Sequence, residues 1–301
     1  MSDLKNITQF LSNTGKRHLA LDVINHFASR AVEPVQFKDV ADAYLYSFDF
    51  DKSLEYFQII LKSNITDGQK TEIILNIANV YLIKNNPKES LNVLKNLPDM
   101  PEVVRLRKDA IIMQDQLNNV SETGYWMSDI SEKHMFSVEL ANWLVSYLEK
   151  TKRTYDFGCG IGYYLDHLKK NNFTDLVGYE GVVPQNQIFE NIKSQDFTKQ
   201  FDIEKKGNVI CLEVGEHIPA QYQNIFLDNV TNACDNILVL SWSIRGQLGL
   251  FHVNCLNNDE VIHEVEKRGF VFLNNDSWTA RKSIGTACDW FKNTILIFKK
   301  K

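Results

Sequence analysis

The sequence predicts an all-α region followed by a doubly wound α/β sheet. Three observations lead there. In the first third of the chain, apolar residues recur at three-to-four spacing and strand-like alternation is absent. From about residue 123, short β-rich runs alternate with helical stretches. Between the first such run and the helix after it lies a glycine-rich turn, Asp156-Phe-Gly-Cys-Gly-Ile-Gly162.

The bulk numbers permit this division. A chain of 301 residues suits two domains, and 44% hydrophobic content leaves a core for each. The boundaries expected are a helical domain at 1–100, a linker at 101–122 and an α/β domain at 123–301. A net charge of −5 provides no global basic field, which disfavours nucleic acid or an anionic membrane as partner. Five cysteines, an odd number with no CxxC pair, argue against a disulfide framework or a zinc knuckle and for a reducing, cytoplasmic setting. The start of the chain has no signal-peptide pattern, and no apolar run approaches the ~20 residues of a membrane span.

In the helical region, helices are expected at 17–29, 38–47, 51–63, 70–84 and 87–96. Val40-Ala-Asp-Ala-Tyr44-Leu45 aligns with Ile77-Ala-Asn-Val-Tyr81-Leu82, and Ser53-Leu54 with Ser90-Leu91, each pair 37 residues apart. The unit is helix, tight turn, helix. It resembles tetratricopeptide repeats, whose period is about 34. That resemblance implies that Ala41 and Ala78 let helices approach, that Tyr44 and Tyr81 fill the gap, and that a protein partner can dock on the repeats.

In the second region, strands are expected at Thr154–Phe157, Leu176–Tyr179, Val209–Val214, Ile237–Ser241, Val271–Leu273 and Thr294–Phe298. Helices are expected at Tyr163–Lys170, near 184–193 and 220–233, and at Asp259–Arg268, where Asn257 and the residues after it suit a helix start. Gly158 and Gly160 allow a sharp turn and close backbone approach to a ligand, and Gly162 opens the helix. The pattern D-x-G-x-G-x-G differs from the dinucleotide G-x-G-x-x-G, which disfavours a nicotinamide cofactor. Glu180 ends the second strand, 24 residues after Asp156, where an acidic side chain meets ribose hydroxyls in nucleoside-binding α/β folds.

Together these features resemble class I S-adenosylmethionine-dependent methyltransferases over 123–301. The resemblance implies a Rossmann-like sheet of seven strands with the last one reversed. It also implies that Asp156, Gly158, Cys159 and Gly160 surround the methionine part of S-adenosyl-L-methionine. Gly162 would begin the helix beneath it and Glu180 would hold the ribose. Asp202, after the presumed third strand, would approach the adenine amine. The segment before the first strand would form a lid, with Trp126 and His134 as its candidate site residues.

The fourth strand ends in Glu213-Val-Gly-Glu216-His217, at the edge where open α/β sheets bind ligands. If the chain turns helically there, positions i, i+3 and i+4 share a face. His252 follows the fifth strand. Glu-x-x-Glu-His with a later His resembles the small-RNA 3′-end 2′-O-methyltransferases and the ubiquinone-pathway O-methyltransferases. By the first resemblance, Glu213, Glu216, His217 and His252 would hold Mn²⁺ or Mg²⁺, which lowers the pKa of a bound hydroxyl. Without metal, Glu213 lines the cofactor pocket, Glu216 stays at the catalytic rim, and His217 or His252 is the general base. His18, His26, His167 and His263 lie on predicted helices, as surface or packing residues. The resemblance thus implies O-methylation of a hydroxyl on a small molecule or glycan. RNA 2′-O-methylation, or a non-catalytic module that recruits a partner, are the alternatives.

Overall fold

The computed structural model describes the chain except Met1 and residues 14–16, 119, 125–134, 246, 248 and 250. The expected lid residues Trp126 and His134 therefore lie outside the described residues. The chain divides into two compact units, which meet in sequence at 118/119.

The first unit is helical: α1 (Ser2–Asn13), α2 (Arg17–Ala28), α3 (Pro34–Tyr46), α4 (Phe50–Leu61), α5 (Asp67–Ile83), α6 (Pro87–Leu94) and α7 (Pro101–Leu117). The repeat read from the sequence reappears in the backbone. Phe48 and Asn85, again 37 apart, both take the left-handed conformation, with φ of 61° and 52°. Asp49 N–H then returns to Tyr44 O at 2.9 Å and Asn86 N–H to Tyr81 O at 2.8 Å, which closes the two helix ends alike. The same two residues cap the next helices, since the Asp49 and Asn86 side chains accept from Lys52 N–H and Glu89 N–H. Ala41, Ala78, Ser53 and Ser90 are all fully buried, as small residues at helix contacts should be. Tyr44 stacks on Tyr56 and donates to Asn25 Oδ1 at 2.6 Å.

Residues 101–117, expected as linker, instead form α7. Pro101 stands at its first turn, where a missing N–H costs nothing. Its Val103, Leu106 and Ala110 are buried, and it packs on α5 and α6. The polar residues that suggested a linker are its outer face, where Arg105 pairs with Glu102 and Asp109.

The second unit begins its regular structure with α8 (Val138–Tyr147), which the sequence reading did not anticipate. Then follow β1 (Thr154–Phe157), α9 (Tyr163–Lys170), β2 (Leu176–Glu180), β3 (Ile192–Ser194), β4 (Gly207–Cys211), α10 (Gln223–Ala233), β5 (Cys234–Ser241), α11 (Asn258–Glu266), β6 (Phe270–Phe272), α12 (Asn274–Ser283), α13 (Phe291–Thr294) and β7 (Ile295–Lys300). The sheet order is β3-β2-β1-β4-β5-β7-β6. β7 alone runs antiparallel to its neighbours β5 and β6. The expected seven-stranded, doubly wound sheet with a reversed last strand is therefore present.

Side-chain alternation assigns the two faces. Ile210, Val239, Ile295 and Ile297 pack with α8, α9 and α12 through Leu144, Leu165 and Ala280. Val209, Leu238, Leu240, Leu296 and Phe298 pack with α10 and α11 through Phe226, Leu227 and Val261. Every residue of β1 and β4 is buried, as parallel strands covered on both faces require.

The helix expected near 184–193 does not form. That stretch crosses the glycine turn instead: Ile188 N–H donates to Ile161 O at 2.9 Å, and Phe189 is buried over Gly162. Its Pro184 and its tie to the turn hold it in a loop of turns and bends, with Gln187 N–H donating to Pro184 O.

Leu106→Ala tests whether α7 is integral to the helical unit. Removing a fully buried leucine should cost about 2–5 kcal/mol, read as a lowered denaturation midpoint of that unit. A change near zero would return 101–117 to linker.

Candidate active site at the carboxyl edge of the sheet

The strand order reverses between β1 and β4, so the loops after these strands part and leave a crevice at their carboxyl ends. The residues singled out from the sequence gather on the two sides of it.

On the β1 side, the glycine turn uses left-handed backbone three times, with φ of 79° at Gly158, 55° at Gly160 and 95° at Gly162. A Cβ on Gly158 would lie 2.4 Å from Val214 Cγ2, and one on Gly162 2.5 Å from Phe189 Cβ. The turn is tied to β2: Gly158 N–H and Cys159 N–H both donate to Tyr179 O, at 2.8 and 3.1 Å. Glu180 accepts Gly160 N–H and Gly181 N–H, each at 2.8 Å. Its carboxylate thus clamps the turn. Asp156 is 2% exposed, and burial with Glu180 nearby pushes its carboxyl up to about 8. Burial also raises Glu180, against the two N–H donors. Cys159 is buried with its thiol raised well above the usual range, so it is a packing residue of the turn rather than a nucleophile.

Asp202, expected just after the third strand, lies eight residues beyond the end of β3 (202 − 194). It is exposed, on the stretch between β3 and β4. The third strand ends earlier, at Ser194, which pairs with Glu180. Asp196, two residues on, therefore holds the position beside the β2 end. Its carboxylate accepts Thr198 N–H and Thr198 Oγ1–H, at 2.9 and 2.6 Å. The three-residue β3 is too short to show in the sequence pattern, so the sequence alone does not locate its end.

On the β4 side, Glu213 has φ 53°, a strained conformation for a non-glycine residue. Its N–H donates to Ser241 Oγ at 2.8 Å, and its Oε2 accepts Gln247 Nε2–H at 2.8 Å. The turn Gly215–His217 that follows is a single tight one. Gly215 lets it lie on Trp242, whose ring would be 2.3 Å from a Cβ there. Glu216 is fully buried, and among the described residues neither carboxylate oxygen has a hydrogen-bond partner. Burial first, then the Glu213 charge, hold Glu216 far above the usual carboxylate range. His217 Nδ1 lies 3.1 Å from Phe251 O, and the His217 and His252 rings meet edge to face at 5.1 Å. Burial, then His252, bring His217 down to about 3, and burial lowers His252.

Glu216, His217 and His252 each offer a ligand atom within 4.8 Å of the others. Of the four candidate ligands, Glu213 is the one outside this group. Its left-handed backbone breaks the helical i, i+3, i+4 register assumed for it. Sequence reasoning also missed Gly215, Trp242, Ser243 and Gln247, whose roles depend on the packing of β5 against the β4 turn.

The strand order β3-β2-β1-β4-β5-β7-β6 with β7 reversed is the sheet expected of the class I methyltransferase fold. No family model matches it, and no curated protein matches it. Among solved structures it is similar to a magnesium protoporphyrin IX methyltransferase from Synechocystis PCC 6803 with bound S-adenosylhomocysteine, at 17% identity, 54% of this chain, 80% of that one and a TM-score of 0.41. It is also similar to a 1,6-didemethyltoxoflavin-N1-methyltransferase from Burkholderia thailandensis (10% identity, 64% and 89% covered, TM-score 0.42). A third is the [4+2]-cyclase SpnF (12% identity, 63% and 92% covered, TM-score 0.40).

Asp156 offers a test by pH. Its folded value of about 8 lies above the ordinary carboxylate value of about 4, so the native state holds a proton that the unfolded state has lost. Stability therefore falls as pH rises from about 4 to about 8 and levels off above. Asp156→Asn should gain in melting temperature relative to the parent between pH 5 and 8. A difference that does not change with pH would show that Asp156 is ionised throughout.

Proposed function

We propose that this chain is an S-adenosylmethionine-dependent methyltransferase that modifies a hydroxyl oxygen of a small molecule or glycan. The observation that carries the reading is the pairing, at one edge of the sheet, of the glycine turn clamped by Glu180 with a buried Glu216 that has no hydrogen-bond partner among the described residues and lies beside two imidazoles.

The donor set fits the cofactor. The left-handed glycines let backbone approach its methionine part, Glu180 can accept ribose hydroxyl hydrogens at the end of β2, and Asp196 stands where an adenine amine would follow. S-adenosylmethionine supplies an electrophilic methyl on a sulfonium. Asp156 is a second carboxyl on that side, able to ionise toward a cationic ligand.

A divalent ion also fits. A buried carboxylate with no donor is costly unless a cation compensates it. Two neutral imidazoles and one carboxylate suit a transition-metal ion such as Mn²⁺ better than Mg²⁺. Glu216, His217 and His252 would hold it, and it would supply Lewis acidity to an acceptor hydroxyl. His217 supports this role over general-base catalysis: at about 3 it is a weak base but a ready ligand. The net charge of −5 supports a small or neutral acceptor over a polyanionic one.

Calorimetry should show S-adenosylmethionine binding to the parent protein and none to Gly160→Arg, where a side chain would enter the turn. Equal binding to both, or to neither, removes the cofactor assignment and favours a non-catalytic module. Methyl transfer, followed as the mass gain of one methyl group in candidate acceptors, should need Mn²⁺ and be lost in Glu216→Ala. Turnover that survives chelation would remove the metal.

A further inference from the structure

We infer that backbone carbonyls hold His217 and His252 in the Nδ1–H tautomer, so that each carries its lone pair on Nε2, and that Ser243 is the positioning residue for His252. The tautomers stand independently of the metal. The consequence of Ser243 for metal affinity rests on the reading above.

A carbonyl oxygen has no hydrogen to give. His217 Nδ1 lies 3.1 Å from Phe251 O, so Nδ1 must be the donor. His252 Nδ1 lies 3.3 Å from Gln247 O and 2.9 Å from Ser243 Oγ. Were it unprotonated, its lone pair would face the carbonyl lone pairs. With Nδ1–H, the hydrogen is shared between the carbonyl and the hydroxyl, and Ser243 Oγ accepts.

The chain around these rings is fastened from several sides. Glu216 O accepts Val253 N–H and Asn254 N–H, at 2.9 and 3.0 Å. Trp242 Nε1–H donates to Asn254 O at 2.6 Å, and Ser243 O accepts Leu256 N–H at 3.2 Å. These bonds fix the backbone that carries His252 but not the rotation of its ring. Among the described residues, fully buried Ser243 is the side chain hydrogen-bonded to the ring. A ligating histidine commonly has its other nitrogen held in this way, and loss of such a partner costs about 10–100-fold in metal affinity.

The test uses the full chain without metal, labelled with ¹⁵N-histidine, at pH 8. Long-range ¹H–¹⁵N spectra, assigned with His217→Gln and His252→Gln, should show Nδ1–H at both residues. Nε2–H at either one overturns the tautomer assignment. Mn²⁺ and S-adenosylmethionine are then titrated separately into parent and Ser243→Ala proteins. The expected result is Mn²⁺ affinity about 10–100-fold weaker in Ser243→Ala with cofactor affinity unchanged. Unchanged Mn²⁺ affinity, or parallel loss of both ligands, overturns the positioning role. A parent protein that binds no Mn²⁺ overturns the metal reading and that role together, while the spectra still decide the tautomers.

Discussion

The reversal of strand order between β1 and β4 is the constraint on which the rest of the second unit depends. Parallel strands leave their carboxyl ends on one edge, and only where the winding changes direction do the following loops separate. The glycine turn after β1 and the Glu216-His217 turn after β4 face the same opening for this reason. Neither turn could be moved to another strand without losing the other.

The two sides of the opening solve different problems of burial. On the β1 side, backbone N–H groups answer a carboxylate: Glu180 receives Gly160 and Gly181 and is satisfied within the protein. On the β4 side, Glu216 has no geometric hydrogen-bond partner among the described residues, and burial lowers the two histidines beside it. The first arrangement builds a rigid corner. The second leaves a buried carboxyl group that burial and Glu213 disfavour ionising, and a cation placed beside it would reverse that preference.

The helical unit follows a different logic. Its repeated 37-residue unit closes each helix with a left-handed residue and opens the next with a capping side chain, so local hydrogen bonds at 48–49 and 85–86 set the geometry. Continuation of the stack through α7 comes from burial of Val103, Leu106 and Ala110.

Local pattern was enough to read the strands β1, β2, β4, β5 and β7, the glycine turn, Glu180 and the helix pairs, because strand alternation, turn glycines and caps act over a few residues. It also located the rim that bears Glu216, His217 and His252. It misread α7, whose polar outer face hid its core face, and the 184–193 loop, whose shape comes from lying across the glycine turn. It did not locate the end of the third strand, which falls at Ser194, because a three-residue strand has no periodicity to see. Only tertiary structure decided that Glu216, His217 and His252 group together without Glu213 and that Ser243 Oγ, Gln247 O and Phe251 O lie beside the two imidazoles. Those roles arise where β5 and the segment after it pack against the β4 turn, and contacts between distant segments leave no mark on the sequence of either one.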